Sequence, residues 1–101
     1  YIKEHLTEDL SLESIAEKMS LSPIYFHNTF RASVGKTLRG YVEEQRIKKA
    51  INLLTTTNYS LTQIAYESGF SSQSYFSYVF KRKMKVTPRD YVKEIYNKYE
   101  T

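Results

Sequence analysis

The chain has 101 residues, 41% of them hydrophobic and 15% aromatic, which is material for one domain with a modest core. Fifteen Lys and Arg against 11 Asp and Glu leave a net charge of +4, a balance that permits nucleic-acid binding without demanding it. The absence of Cys excludes disulfides and thiolate metal sites and suits a reducing compartment. No run approaches the roughly 20 apolar residues of a membrane span and no signal-peptide pattern opens the chain, so a soluble, cytoplasmic protein with no membrane partner is expected. The sequence begins at Tyr1 without an initiator Met, and the expectation is a fragment of something longer.

Only three Gly and two Pro occur, and no segment alternates apolar with polar, so the pattern predicts an all-α fold of about seven helices with short connections. Tyr1 to Leu6 reads as a short first helix. Ser11 caps a second over Leu12 to Met19, with Leu12, Ile15, Ala16 and Met19 as its inward stripe. Ser22 and Pro23 form a strong start signal for a third helix to about Val34, with Phe26 and Phe30 inward and Gly35 ending it. Thr37 to about Thr55 reads as a longer helix carrying Leu38, Tyr41, Ile47, Ala50, Ile51 and Leu54 at helical spacing.

The stretch Thr55 to Ser60 is poor helix material and reads as a joint. Ser60 with Gln63 then opens a helix from Leu61 to about Glu67, and Ser68 and Gly69 turn the chain into a further helix that runs to about Arg82. In that helix Phe76, Val79 and Phe80 form a buried stripe, while Gln73, Ser74, Ser77, Tyr78 and Lys81 lie opposite. Amide, hydroxyl and basic groups on one face are what base edges and phosphates require. Thr87, Pro88 and Asp90 start a last helix through Tyr91, Val92 and Ile95, and the polar final residues are expected to fray.

The two halves are related. Leu12, Ile15 and Ala16 recur 49 positions later as Leu61, Ile64 and Ala65. Beyond the turn the shift is 50, and Ser22, Tyr25, Phe26 and Phe30 recur as Ser72, Tyr75, Phe76 and Phe80, then Thr37, Arg39, Tyr41 and Val42 as Thr87, Arg89, Tyr91 and Val92. Each copy reads as short helix, tight turn and second helix, the helix-turn-helix order. The expected organisation is a single domain with a first subdomain over 1–36, a long central linking helix over 37–55 and a second subdomain over 56–101.

With these residues in view, the sequence resembles the DNA-binding domain of AraC/XylS-family transcription regulators. The likeness covers almost the entire chain, and its most specific parts are IAYESGF, SYFSYVFK and TPRDYV. Leu38 in place of the second copy's Pro88, and Gly40 early in the long helix, depart from the symmetry of the two halves. The resemblance implies sequence-specific binding of double-stranded DNA by two recognition helices in adjacent major grooves. It also implies a regulatory domain N-terminal to this segment, RNA polymerase as a further partner, an activator role and a nucleoid-associated, bacterial-type location.

On the first reading helix the base-contact candidates are Ile24 for a thymine methyl, His27 for a guanine acceptor and Asn28 for both edge atoms of adenine. On the second, position within the family pattern makes them Gln73, Ser74, Ser77 and Tyr78, with Gln73 the expected adenine reader. Phosphate candidates are Ser22, Arg31, Lys36, Ser72, Lys81, Arg82 and Arg89. Ser22 and Ser72 are first of all helix caps. Tyr25 and Tyr75 are expected to pack on neighbouring helices, His5 to be solvated, and Arg46, inside the long helix among Glu43 and Glu44, to form a structural ion pair rather than a DNA contact.

Two His far apart, no Cys and carboxylates on amphipathic faces provide neither a nucleophile-base pair nor metal-ligand spacing. No enzyme activity, cofactor or metal is expected. The rival reading is a protein-interaction module that keeps the helix-turn-helix fold and uses Ile24, Tyr25 and Tyr78 as anchors.

Overall fold

Hydroxyl side chains set the starts of the helices. In the computed structural model, which describes residues 1–100 and side chains through Lys98, the oxygens of Ser11, Ser22, Thr37, Ser60, Ser72 and Thr87 each accept the amide three residues on, at 3.1–3.2 Å. Each bond satisfies one of the amides that a helix leaves orphaned at its first turn. The six helices so opened are α1 (Leu12–Lys18), α2 (Pro23–Val34), α3 (Leu38–Thr56), α4 (Leu61–Glu67), α5 (Gln73–Met84) and α6 (Pro88–Glu100). Among the described residues there is no strand. The fraying expected at the chain end concerns Thr101 and the side chains of 99 and 100, which lie outside the described residues.

The seventh helix expected at Tyr1 to Leu6 is a single 3-10 turn, Ile2–Glu4. So short a segment cannot offset the cost of nucleating an α-helix, and side chains hold it instead. His5 lies stacked on Tyr1 with ring centroids 4.1 Å apart and bonds the Tyr1 carbonyl through Nδ1 at 2.7 Å, so it is half-buried rather than solvated.

The chain divides into two compact units, Tyr1–Arg46 and a second beginning at Ile47, so the boundary falls inside α3. In the first unit Leu6, Leu10, Ile15, Ala16, Phe26, Leu38 and Val42 form the core. Met19, expected inward, is 57% exposed, because α1 ends at Lys18 and its side chain falls beyond the last turn. Phe26 stacks on Phe30 at 5.7 Å, and Phe30 meets Tyr41 edge-on at 5.6 Å. In the second unit Ile47, Ala50, Ile64, Ala65, Phe70, Phe76, Val79 and Phe80 form the core. The same aromatic chain recurs there, Phe76 to Phe80 at 5.7 Å and Phe80 to Tyr91 edge-on at 5.6 Å. Burying one such ring stabilises a domain by about 3–5 kcal/mol relative to Ala.

The backbone repeats as closely as the side chains. After α1 the Leu21 amide donates to the Ala16 carbonyl, and after α4 the Phe70 amide donates to that of Ala65, both at 2.9 Å. Within these turns Ser20 and Gly69 are left-handed, with φ of 57° and 100°. At the ends of α2 and α5, Gly35 and Lys85 are left-handed too, at 80° and 68°. Each unit therefore needs two positive-φ residues, and glycine supplies a different one in each.

A residue with a Cβ is strained in that region. Ser20→Gly and Lys85→Gly should each raise stability by about 0.5–1 kcal/mol in urea denaturation, and the turn hydrogen bonds predict no loss of helicity by circular dichroism.

Candidate nucleic-acid interface

Turning Phe26 and Phe30 inward leaves the opposite face of α2 to solvent. On it Ile24 is 76% exposed, Asn28 and Arg31 are exposed and His27 is half-buried. Ser22 is exposed and its hydroxyl already accepts the Tyr25 amide. Tyr25 does not pack as expected but stands 59% exposed beside Ile24. The structure thus gathers the four side-chain base and phosphate candidates of α2 on one surface. Lys36 is placed differently, because it forms an ion pair with Glu44 of α3.

The arrangement on α5 follows the same rule with other chemistry. Phe76, Val79 and Phe80 are completely buried, while Gln73, Ser74, Tyr78, Lys81 and Arg82 are exposed and Ser77 is half-buried. Tyr78 is 61% exposed, and the Arg82 guanidinium lies 5.6 Å from the centre of its ring. Such a cation over an aromatic face restrains both side chains without burying either. Tyr75, less exposed than Tyr25, meets Phe70 edge-on at 6.1 Å. Ser72 caps α5 through the Tyr75 amide. Lys81, Arg82 and Lys83 occupy the last turn of α5, where cations also complement the helix dipole. Arg89 is exposed in the first turn of α6, after the Thr87 cap.

Sequence reasoning missed one contact on this face. The Thr62 hydroxyl of α4 donates to Oε1 of Gln73 at 2.6 Å. The repeat offered no signal for it, since the corresponding residues of the first half are Glu13 and Pro23. Arg46 braces the fold through backbone carbonyls, with Nε donating to the Leu6 carbonyl at 3.0 Å and a terminal nitrogen to that of Glu8 at 3.2 Å, partners that the expected ion pair did not include. Nearby, the Ser11 amide bound to Asp9 holds that carboxyl below its ordinary range, and the Tyr1 hydroxyl bound to Lys18 holds that ammonium above its own. These groups brace the segment leading into α1. Among the described residues no group of three or more acidic or His side chains could hold a metal, and no helix is long and apolar enough to cross a membrane.

An all-helical chain with hydroxyl-capped helix pairs around tight turns defines a helix-turn-helix protein. A family profile described as a helix-turn-helix domain matches residues 15–94, and the chain belongs to this AraC/XylS-type family. It is 40% identical over 95 residues to the regulatory protein PocR of Salmonella typhimurium, covering 94% of this chain and 31% of that protein. It is 36% identical over 90 residues to the HTH-type transcriptional activator RhaS of Salmonella schwarzengrund, covering 89% and 32%. The C-terminal domain of AraT, a response regulator from Geobacillus stearothermophilus, superposes with a TM-score of 0.90 at 35% identity, over 93% of this chain and 78% of that one. The DNA-binding domain of the transcriptional factor AdpA, solved with a target DNA, superposes with a TM-score of 0.86 at 29% identity, over 91% and 83%. The chain spans about a third of the length of these curated relatives.

Arg46 gives a test that separates bracing from recognition. Arg46→Met should lower stability by about 1–3 kcal/mol in urea denaturation, because it deprives the part-buried Leu6 carbonyl and the exposed Glu8 carbonyl of a charged donor. The affinity of the folded variant for a duplex should stay within about twofold of the parent, as read by fluorescence anisotropy.

Proposed function

We propose that this chain is the DNA-reading part of a longer transcription regulator, binding double-stranded DNA with α2 and α5 in two adjoining major-groove segments. The observation that carries the reading is the face of α5, where amide, hydroxyl, phenol and guanidinium groups stand outward over a stripe of completely buried rings. The rings fix the helix, and the outward groups match what base edges and phosphates offer. The relatives support this, RhaS as a transcriptional activator and the AdpA domain as a solved DNA complex.

In this reading α1 with α2 and α4 with α5 are the two helix-turn-helix subdomains, and α3 is the helix that links them. Ile24, His27, Asn28, Gln73, Ser74, Ser77 and Tyr78 face bases. Ser22, Arg31, Ser72, Lys81, Arg82 and Arg89 face phosphates, and Lys36 joins them by leaving Glu44. The AraT domain is a C-terminal one, which supports a regulatory domain preceding this segment in the whole protein. RNA polymerase is its further partner, and the cytoplasm is where those two meet. Catalysis plays no part.

Ile24 and Tyr78, both largely exposed, favour a second reading in which the two helices anchor a protein partner. Salt separates the two. Duplex affinity should fall steeply between 50 and 200 mM salt, as estimated for roughly six or more phosphate contacts, whereas an apolar protein interface responds little. Selection from a random duplex library followed by titration gives the residue-level test. Asn28→Ala and Gln73→Ala should each cost about 1–3 kcal/mol and relax preference at one position, and Lys81→Gln should weaken all sequences alike with a salt slope smaller by about 1. Salt-insensitive binding, or no selected sequence, would overturn the DNA reading.

A further inference from the structure

Gln73 is the first residue of α5, the end of a recognition helix that approaches base edges, and it is exposed. Its amide is nevertheless held from outside its own helix. Thr62, the second residue of α4, donates its hydroxyl proton to Gln73 Oε1 at 2.6 Å. A primary amide is planar, so with the oxygen engaged toward α4 the Nε2 hydrogens point the other way. A free Gln accepts from one group and donates to another with equal ease, which is what adenine readout through its N6 and N7 requires. A Gln whose oxygen is engaged presents a donor.

We propose that Thr62 is a positioning residue that makes Gln73 a hydrogen-bond donor toward the DNA, so that the base it reads is guanine, whose N7 and O6 both accept, rather than adenine. The inference rests on the DNA-binding reading above and sharpens one base preference within it. It also distinguishes the two recognition helices. The positions equivalent to Thr62 and Gln73 in the first half are Glu13 and Pro23, which cannot make this bond, so α2 has no such device.

The test compares the parent chain with Thr62→Val, which keeps the shape and removes the hydroxyl, Thr62→Ser, which keeps the hydroxyl, and Gln73→Ala. Binding is measured on duplexes that differ only at the position where Gln73→Ala relaxes the selected preference. The parent should favour guanine over adenine there by about tenfold, the scale of one good base contact. Thr62→Val should reduce this to within about twofold, with unchanged affinity for an unrelated duplex and unchanged salt slope. Thr62→Ser should keep the parent preference, and Thr62→Val should have no further effect once Gln73 is Ala. Equal melting temperatures for all variants confirm that each is folded. A parent preference for adenine, or a preference that survives Thr62→Val, would sink the proposal while leaving DNA binding intact. Even weakening of every duplex by Thr62→Val would make Thr62 a phosphate contact and sink it as well. If Gln73→Ala relaxes no position, Gln73 reads no base, and the proposal falls together with that part of the DNA reading.

Discussion

Everything outward on this protein depends on a chain of aromatic rings turned inward. Phe26, Phe30 and Tyr41 in one unit, and Phe76, Phe80 and Tyr91 in the other, pair in the same order at the same centroid distances, although Phe26 stacks on Phe30 while Phe76 meets Phe80 edge-on. Rings four residues apart on α2 or α5 occupy one stripe, and the edge-on Tyr of the following helix closes that stripe from the side. The rotation of the recognition helix about its own axis is thereby set. Residues at 24, 27, 28 and 31, and at 73, 74, 77, 78 and 81, are outward because the positions between them are committed to the core.

The turn ahead of each recognition helix supplies the second constraint. Ala16 and Ala65 are completely buried, small enough for the following helix to cross close by, and their carbonyls accept the amides of Leu21 and Phe70. A left-handed residue is needed in each turn to aim that amide backwards, and another is needed where each recognition helix ends. That glycine fills one site in one unit and the other site in its counterpart shows that the conformation is demanded by the turn geometry and only made easier by the residue.

On these shared frames the two reading faces have diverged. The face of α2 is small, with one highly exposed apolar residue, one half-buried imidazole and one free-standing amide. The face of α5 is restrained, its amide held by Thr62 and its phenol covered by Arg82. Restraint before binding lowers the entropy lost on binding, and it also narrows what a side chain can recognise. Lys36 shows the opposite case, a cation whose intramolecular partner Glu44 must be displaced before it can serve a phosphate.

Much of this was legible in the sequence, for identifiable reasons. Hydroxyl caps at Ser11, Ser22, Ser60, Ser72 and Thr87, helical spacing of apolar residues and the recurrence of one half in the other determined α1 to α4 to within about a residue, the presence of α5, which runs two residues past Arg82, and of α6, the inward stripes of α2 and α5, and hence which residues face out. Caps and periodicity are local, and burial repeats with the helical period, so neither needs distant information. The first segment was misread as an α-helix because Ile2 and Leu6 have helical spacing, while the stacking of His5 on Tyr1 that holds a 3-10 turn has no signature in spacing. Met19 was misread because its burial depended on where α1 stopped. Only tertiary structure decided the contacts between elements: Arg46 on the carbonyls of Leu6 and Glu8, Lys36 on Glu44, Thr62 on Gln73. Those bonds depend on how helices approach one another and on the direction of single side chains, quantities that a one-dimensional pattern does not carry.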